Sequence, residues 1–347
     1  MRFLLVKLNH LGDTLLLTPT TRFLRQQYPQ AEIDVLVRAG CEDMLRGNPD
    51  ITRVIPLARP EKHQRSFGNS LEEFGRTFPK LFLRRYDYAF DLSDSDRAKT
   101  WILLSAAKVR GINNAYASLN WKGKLFNRFS AFKWGSEHQV LRDFRTVTDV
   151  IGTEAKAGAL RFEPQATFAE LQALFLSLTP ETKYAVIHPT SRWAFKQWFP
   201  ERWAKVADEL HERHGLTVIF SCGPDAHEKA YVQSIIAQCR TKHLSSDGQL
   251  SLHQFGLLIQ RAKIFLGVDT VAMHLSAAVQ TPTLALFGPS SEWSWHPWQV
   301  RHELVLGDCP CKQTRQFTCD KSKPYPCMGR ITEEQVLAKA ELLLRPS

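Results

Sequence analysis

Four short stretches of this 347-residue chain carry residues whose types and spacing suit chemistry. The first is Leu8-Asn9-His10-Leu11-Gly12-Asp13-Thr14-Leu15-Leu16, directly after the apolar run Phe3-Leu4-Leu5-Val6. Nucleotide-binding folds place their first functional loop where a strand releases into a helix in this way. Here the loop offers one glycine and then an acid. Asp13 is either a proton acceptor or a helix cap at the end of the first strand. The second stretch, Ile187 to Trp203, leaves an apolar strand at His188 and reaches Pro200 at the start of a helix. Thr190 and Ser191 offer hydroxyls and backbone N–H groups, and Lys196 a point charge for a phosphate oxygen. The alternative is an ordinary solvated loop. The third, Phe220 to Ala230, turns at Gly223-Pro224. Asp225 is best placed to accept from a ribose hydroxyl or an adenine amine, with Glu228 second, although an aspartate at a helix start is also a good cap. The fourth, Phe265 to Ser291, puts Asp269 and Thr270 where a helix begins, with its free N–H groups and positive partial charge. His274 stands one turn along the same face, as a ligand contact or as a hydrogen-bonded core histidine.

These loops exclude several classes. No G-x-G-x-x-G follows a predicted strand, and there is no Walker P-loop, no G-x-S-x-G and no H-E-x-x-H.

The elements that must position the four loops read as two halves with one grammar. Predicted strands in the first half are Arg2–Leu8, Glu32–Val37, Thr52–Leu57, Tyr86–Leu92 and a shorter Lys108–Gly111, with helical patterns at Thr18–Tyr28 and Leu71–Arg85. The second half has strands at Tyr184–His188, Thr217–Phe220, Lys263–Leu266 and Thr283–Phe287. Its helices fall at Pro200–His214, Ala226–Cys239, Leu252–Arg261, Thr270–Val279 and Thr332–Leu344. Strands alternating with helices imply parallel sheets with crossover helices. The expected division is a domain of residues 1–160 and a domain of residues 161–347. Ligands are expected at the carboxyl ends of the strands, in a cleft between two facing α/β halves.

Charge is uneven. The net charge is +10, and residues 1–160 hold 25 Lys/Arg against 17 Asp/Glu, so the front half faces an anionic partner. No apolar run reaches the ~18 residues of a membrane span, and the N-terminus lacks the pattern of a secretory signal. With seven cysteines, an odd number, a reduced cytoplasmic protein is the expectation.

The motifs in this order resemble the ADP-heptose:lipopolysaccharide heptosyltransferases, glycosyltransferase family 9. The resemblance rests on Gly12-Asp13-Thr14-Leu15-Leu16, on His188-Pro189-Thr190-Ser191 with Lys196 and Trp198, and on Gly223-Pro224-Asp225. It rests most on Gly267-Val268-Asp269-Thr270 with His274-Leu275-Ser276-Ala277-Ala278, then Pro282 and Leu286-Phe287-Gly288-Pro289. The tryptophans and Pro297 after that loop look most like the heptosyltransferase III branch, which acts on the second core heptose. The resemblance implies an α/β GT-B fold, two Rossmann-like domains facing each other across a central cleft, the first for the acceptor and the second for the nucleotide sugar. It implies an inverting transferase that needs no cofactor, takes ADP-heptose as donor and has the lipopolysaccharide inner core as acceptor. Asp13 then matches the family's catalytic base, with Gly12 allowing close approach of the sugar. Thr190, Ser191, Lys196, Asp225, Asp269, Thr270 and His274 match the donor site. One departure is Val271-Ala272-Met273, where relatives often carry a glycine and a small polar residue. The rival readings are a GT-B transferase using a different nucleotide sugar and, from another class, a basic nucleic-acid-binding protein. The second lacks any recognised nucleic-acid module.

Two constellations stand apart. Cys309, Cys311, Cys319 and Cys327 are a candidate structural zinc set, weakened by the lack of paired C-x-x-C knuckles. Residues 97–136 hold eight Lys/Arg and no acid among many aromatics. Were Trp121–Trp134 helical, Trp121, Leu125, Phe129 and Phe132 would share one face with Lys124 beside it. That is the composition of a helix that lies on the anionic cytoplasmic face of the inner membrane or grips the anionic acceptor, or of a core-facing helix with a basic rim. Arg110 is a candidate acceptor contact.

Overall fold

The computed structural model describes residues 1–58, 67–115, 120–135, 137–308 and 326–345, with the side chains of 67–70 left aside. Cys309, Cys311 and Cys319 lie outside the described residues, so only Cys327, buried, is placed.

The chain divides into two compact units, Met1–Phe162 and Glu163–Ser347. Unit 1 runs β1 (Arg2–Lys7), α1 (Leu11–Leu16), α2 (Thr18–Gln27), β2 (Glu32–Arg38), β3 (Arg53–Leu57), α3 (Phe67–Phe82), β4 (Tyr88–Asp91), α4 (Asp96–Leu104), β5 (Val109–Asn113), β6 (Arg128–Ser130) and α5 (Gln139–Ile151). Its strands form a parallel sheet in the order β3-β2-β1-β4-β5-β6. Phe3 to Val6 are wholly buried, because helices cover both faces of a central parallel strand. Below one face lies a core of Leu4, Val6, Leu36, Leu81, Trp101, Ile102, Ile112 and Phe126, among others.

Unit 2 runs α6 (Phe168–Leu174), β7 (Tyr184–His188), α7 (Pro200–His214), β8 (Thr217–Phe220), α8 (Ala226–Ile236), β9 (Leu244–Ser245), α9 (Leu252–Gln260), β10 (Ile264–Val268), α10 (Val271–Ala278), β11 (Thr283–Phe287), α11 (Glu292–Trp295), β12 (His302–Leu306), α12 (Pro326–Gly329) and α13 (Glu333–Leu344). The sheet is again parallel, in the order β12-β11-β10-β7-β8-β9. Local chemistry sets the ends of its helices. Pro200 sits at the start of α7, and Gly215 ends it at a φ of 63°, a left-handed conformation that glycine takes without steric cost. The Thr332 side chain accepts from the Gln335 N–H at the start of α13. Trp198 and Trp203 meet edge to face in the core, ring centroids 5.1 Å apart.

Every strand and helix expected from the sequence is present to within a few residues. The segment Trp121–Trp134 is the exception. It forms a single 3-10 turn, Gly123–Leu125, and then the edge strand β6. Arg128, Phe129 and Ser130 pair with Gly111, Ile112 and Asn113 of β5, and that ladder takes the backbone hydrogen bonds a helix would have used. The expected interfacial helix is therefore replaced by a turn and a strand.

Candidate active site

In unit 1 the site residues stand at the carboxyl ends of β1 and β4. His10 precedes α1, and Asp13 lies half-buried in its first turn, where its carboxylate accepts the His10 N–H at 3.2 Å. That bond holds Asp13 and leaves the carboxylate further lone pairs. Gly12, also in the first turn, is not among the glycines at positive φ, so its value here is the missing side chain. The Lys7 ammonium, at the end of β1, bonds the Asp143 carboxylate of α5 at 2.6 Å and the Leu92 carbonyl at 2.9 Å. This buried ion pair ties three elements together beneath the loop. Burial pushes the Asp143 carboxyl up from its ordinary value, against the lowering by Lys7 and Arg142, while the Asp13 charge adds to the rise. Asp91 ends β4. Burial lifts its carboxyl to about 6, with the Ser93 N–H opposing. One of its oxygens accepts from Ser93 and Asp94 N–H, and the other has no hydrogen-bond partner.

In unit 2 four loops meet at the strand ends. Lys196, in the 3-10 turn Ala194–Lys196 after β7, bonds the Asp269 carboxylate at 2.6 Å, and Asp269 is only 8% exposed. Thr270 starts α10, and its buried hydroxyl has no hydrogen-bond partner. A cation, a helix N-terminus and an unpartnered hydroxyl thus gather where an anion would be held. Beside them runs a relay across two loops. His188 lies 3.0 Å from the Ser221 hydroxyl and 3.3 Å from the Thr190 hydroxyl, which donates to Glu228 at 2.7 Å. The Gly223 N–H donates to the same Glu228 oxygen at 2.8 Å. A side chain at Gly223 would bring its Cβ to 3.0 Å from that carboxylate, so the glycine lets Glu228 reach inward. Burial holds the His188 imidazole down to about 4, with Glu228 working against it, so the ring is neutral at pH 7. His274 is buried on α10 with its ring 6.1 Å from that of Trp295. Ser191 is buried, and its hydroxyl accepts the Trp193 N–H.

Residues 75–324 match the family model of glycosyltransferase family 9 (heptosyltransferase). The chain belongs to that family. The lipopolysaccharide heptosyltransferase 3 of Escherichia coli K12 is 28% identical over 337 residues, spanning 96% of this chain and 95% of its own. A family 9 glycosyltransferase structure from Veillonella parvula superposes with a TM-score of 0.83 at 22% identity, covering 99% of this chain and 97% of the other. An Escherichia coli heptosyltransferase with ADP-2-deoxy-2-fluoro heptose gives 0.72 at 20% identity, covering 99% of each. The two parallel six-stranded sheets are the GT-B fold of these family 9 enzymes.

For a family 9 glycosyltransferase, two expected contacts sit differently from expectation. Asp225 is exposed and caps α8 by accepting the His227 N–H at 2.9 Å, whereas Glu228, one turn on, points into the loops. A helix start offers the first acid a cap and carries the fourth residue round to the same side, which the spacing of Asp225 and Glu228 allowed. Arg110 lies near the start of β5, the opposite end from the loops. Its guanidinium donates to the Leu125 carbonyl at 3.1 Å and the Ala107 carbonyl at 2.9 Å, so it braces the 121–126 turn and is set aside as an acceptor contact. Lys7, Asp91 and Asp143 were missed altogether. The only signal was a lysine closing an otherwise apolar strand.

Among the described residues, Asp208, Cys239 and His243 offer metal-type ligand atoms within 4.8 Å of one another. The Asp208 carboxylate is already filled by the Arg240 and Thr241 N–H groups and the Thr241 hydroxyl, with His243 alongside at 3.2 Å. The trio anchors the chain between α8 and β9.

Proposed function

We propose that this protein transfers heptose from ADP-heptose to the second heptose of the lipopolysaccharide inner core, with inversion at the anomeric carbon. Unit 2 holds the donor. Lys196 and the N-terminus of α10 take the diphosphate, Thr190 and Ser191 take phosphate oxygens, Asp269 and His274 take hydroxyls of the donor, and Glu228 takes the nucleoside. Unit 1 supplies the base and the acceptor surface. The acceptor hydroxyl oxygen bonds to the anomeric carbon, the bond from that carbon to the β-phosphate oxygen breaks, and the hydroxyl proton passes to Asp13. Charge gathers on the departing ADP, where fixed donors and a cation stabilise it without reorganising. The reading takes the enzyme to work at the cytoplasmic face of the inner membrane; among the described residues no helix is long and apolar enough to cross a membrane.

The observation that carries this reading is the Lys196–Asp269 pair beside the free Thr270 hydroxyl at the start of α10. The test incubates purified protein with ADP-heptose and truncated core oligosaccharides of defined length, reading ADP release and acceptor mass. A one-heptose gain on the core ending in the second heptose, reduced about 10²–10⁴-fold in Asp13→Asn, is expected. ADP release with a gain on a different core would reassign the acceptor. Binding of ADP without transfer from ADP-heptose would reassign the donor sugar.

A further inference from the structure

The connections of unit 1 concentrate exposed apolar surface on one side of its sheet. β3 to β4, β4 to β5 and β5 to β6 all step across the sheet in one direction. Right-handed crossovers that step the same way lie on the same face. α3, α4 and the 121–126 turn therefore form one layer, and Leu81, Trp101, Ile102 and Phe126 pack beneath it in a common core. Phe129 joins the edge of that layer, since its parallel partner Ile112 belongs to the same core.

The outer surface of this layer is unusual. Half of the fourteen exposed large apolar side chains among the described residues belong to this one layer and its edge, a concentration above single scattered residues. Leu83 is 74% exposed, Trp121 67% and Leu125 50%, and Phe82 and Phe129 are exposed as well. Phe74, Phe78 and Phe82 stack along α3 at 4.8 and 5.1 Å. The three elements of the layer hold six Lys/Arg, Lys80, Lys122 and Lys124 among them, against the acids Glu72, Glu73 and Asp96, and Lys122 stands 5.5 Å above the Trp121 ring. Arg110 holds the turn from below.

We infer that this layer is a docking surface for an anionic lipid bilayer. Exposed aromatic and aliphatic side chains on a surface with an excess of lysine and arginine suit the headgroup region of an anionic membrane. The turn, braced by Arg110, presents Trp121 and Leu125 to solvent. The inference rests on the proposed reading in one respect: a lipid-borne acceptor gives the docking its purpose.

Full-length protein is sedimented with vesicles of phosphatidylcholine alone and of phosphatidylcholine and phosphatidylglycerol in equal amounts. The unaltered protein and a Leu176→Ser control, altered at an apolar side chain of unit 2 that is 91% exposed, are expected to bind only the anionic vesicles. Leu83→Ser with Trp121→Ser should weaken that binding by about tenfold or more. Lys122→Glu with Lys124→Glu should weaken it similarly and flatten its salt dependence. Both variants should still act on a delipidated core oligosaccharide and lose activity on vesicle-embedded acceptor, which separates lost docking from lost folding. Variants that sediment like the unaltered protein would overturn the inference. So would a self-association in solution that the same substitutions abolish, with no vesicle binding, because a second copy would then be the occupant. If no form acts on the soluble core while the vesicle pattern holds, the docking stands and the transferase reading fails.

Discussion

Glu228 and Asp225 stand three residues apart and do different work. Asp225 satisfies the start of α8, an exposed role in which its loss costs about 1 kcal/mol. Glu228 accepts from the Gly223 N–H and the Thr190 hydroxyl, groups that its removal would strand. Asp225→Ala should therefore lower Tm while leaving the donor KM unchanged. Glu228→Ala should raise the donor KM by about tenfold, by stranding the groups that bond it in both loops and removing the proposed nucleoside contact. Steady-state kinetics with ADP-heptose, alongside thermal melts, tell the two roles apart. An unchanged KM in Glu228→Ala would return the nucleoside contact to Asp225. Asp13 differs again: one hydrogen bond from His10 fixes it, and its substitution should alter turnover and spare ADP binding.

At the scale of the element, the carboxyl end of β4 carries a titrating group. The Asp91 carboxyl is lifted to about 6 by burial, above the unfolded value near 4. The folded chain thus binds this proton more tightly than the unfolded chain. The stability this group contributes is present below about pH 4 and is lost as pH climbs through about 6. Asp91→Asn keeps an oxygen for the Ser93 and Asp94 N–H groups and removes the buried charge. Its Tm should exceed that of the unaltered protein at pH 8, and the gap should close by pH 4. His188 works in the opposite sense. Its pKa is held down to about 4, so its contribution is lost as pH falls from about 6.5 through 4. The pH difference between variant and parent isolates Asp91 from this background.

At the scale of the whole molecule, each unit has its own sheet and its own buried cluster, Leu4 to Phe126 in one and Ala185 to Leu343 in the other. A chain with two separate cores is expected to show a calorimetric transition for each. A ligand held by unit 2 alone should raise only that unit's transition in calorimetry. ADP at a hundredfold excess over its Kd adds about 2.7 kcal/mol to the state that binds it. Lys196→Ala should abolish most of that rise. A uniform shift of both transitions would mean that ADP binding also draws on unit 1.

The sequence by itself determined the central strands and most of the helices between them, the doubled α/β grammar and the position of the Asp13, Lys196 and Asp269 loops, while β6, β9, β12, α4 and α5 went unread. Those follow from local rules: apolar runs long enough for a buried strand, Pro200 and Gly215 at helix ends, and loops placed where strands stop. Only the tertiary structure decided which of those residues meet. Lys7 and Asp143 are 136 positions apart, and Thr190 and Glu228 are 38 apart, so no spacing rule links them. It also made an edge strand of Arg128–Ser130, whose three residues pair with β5 although the segment around them, 121–134, is rich in apolar and basic residues and fits an amphipathic helix as well. A three-residue strand gains its hydrogen bonds from a neighbour distant in sequence, and that neighbour is visible only once the sheet has formed.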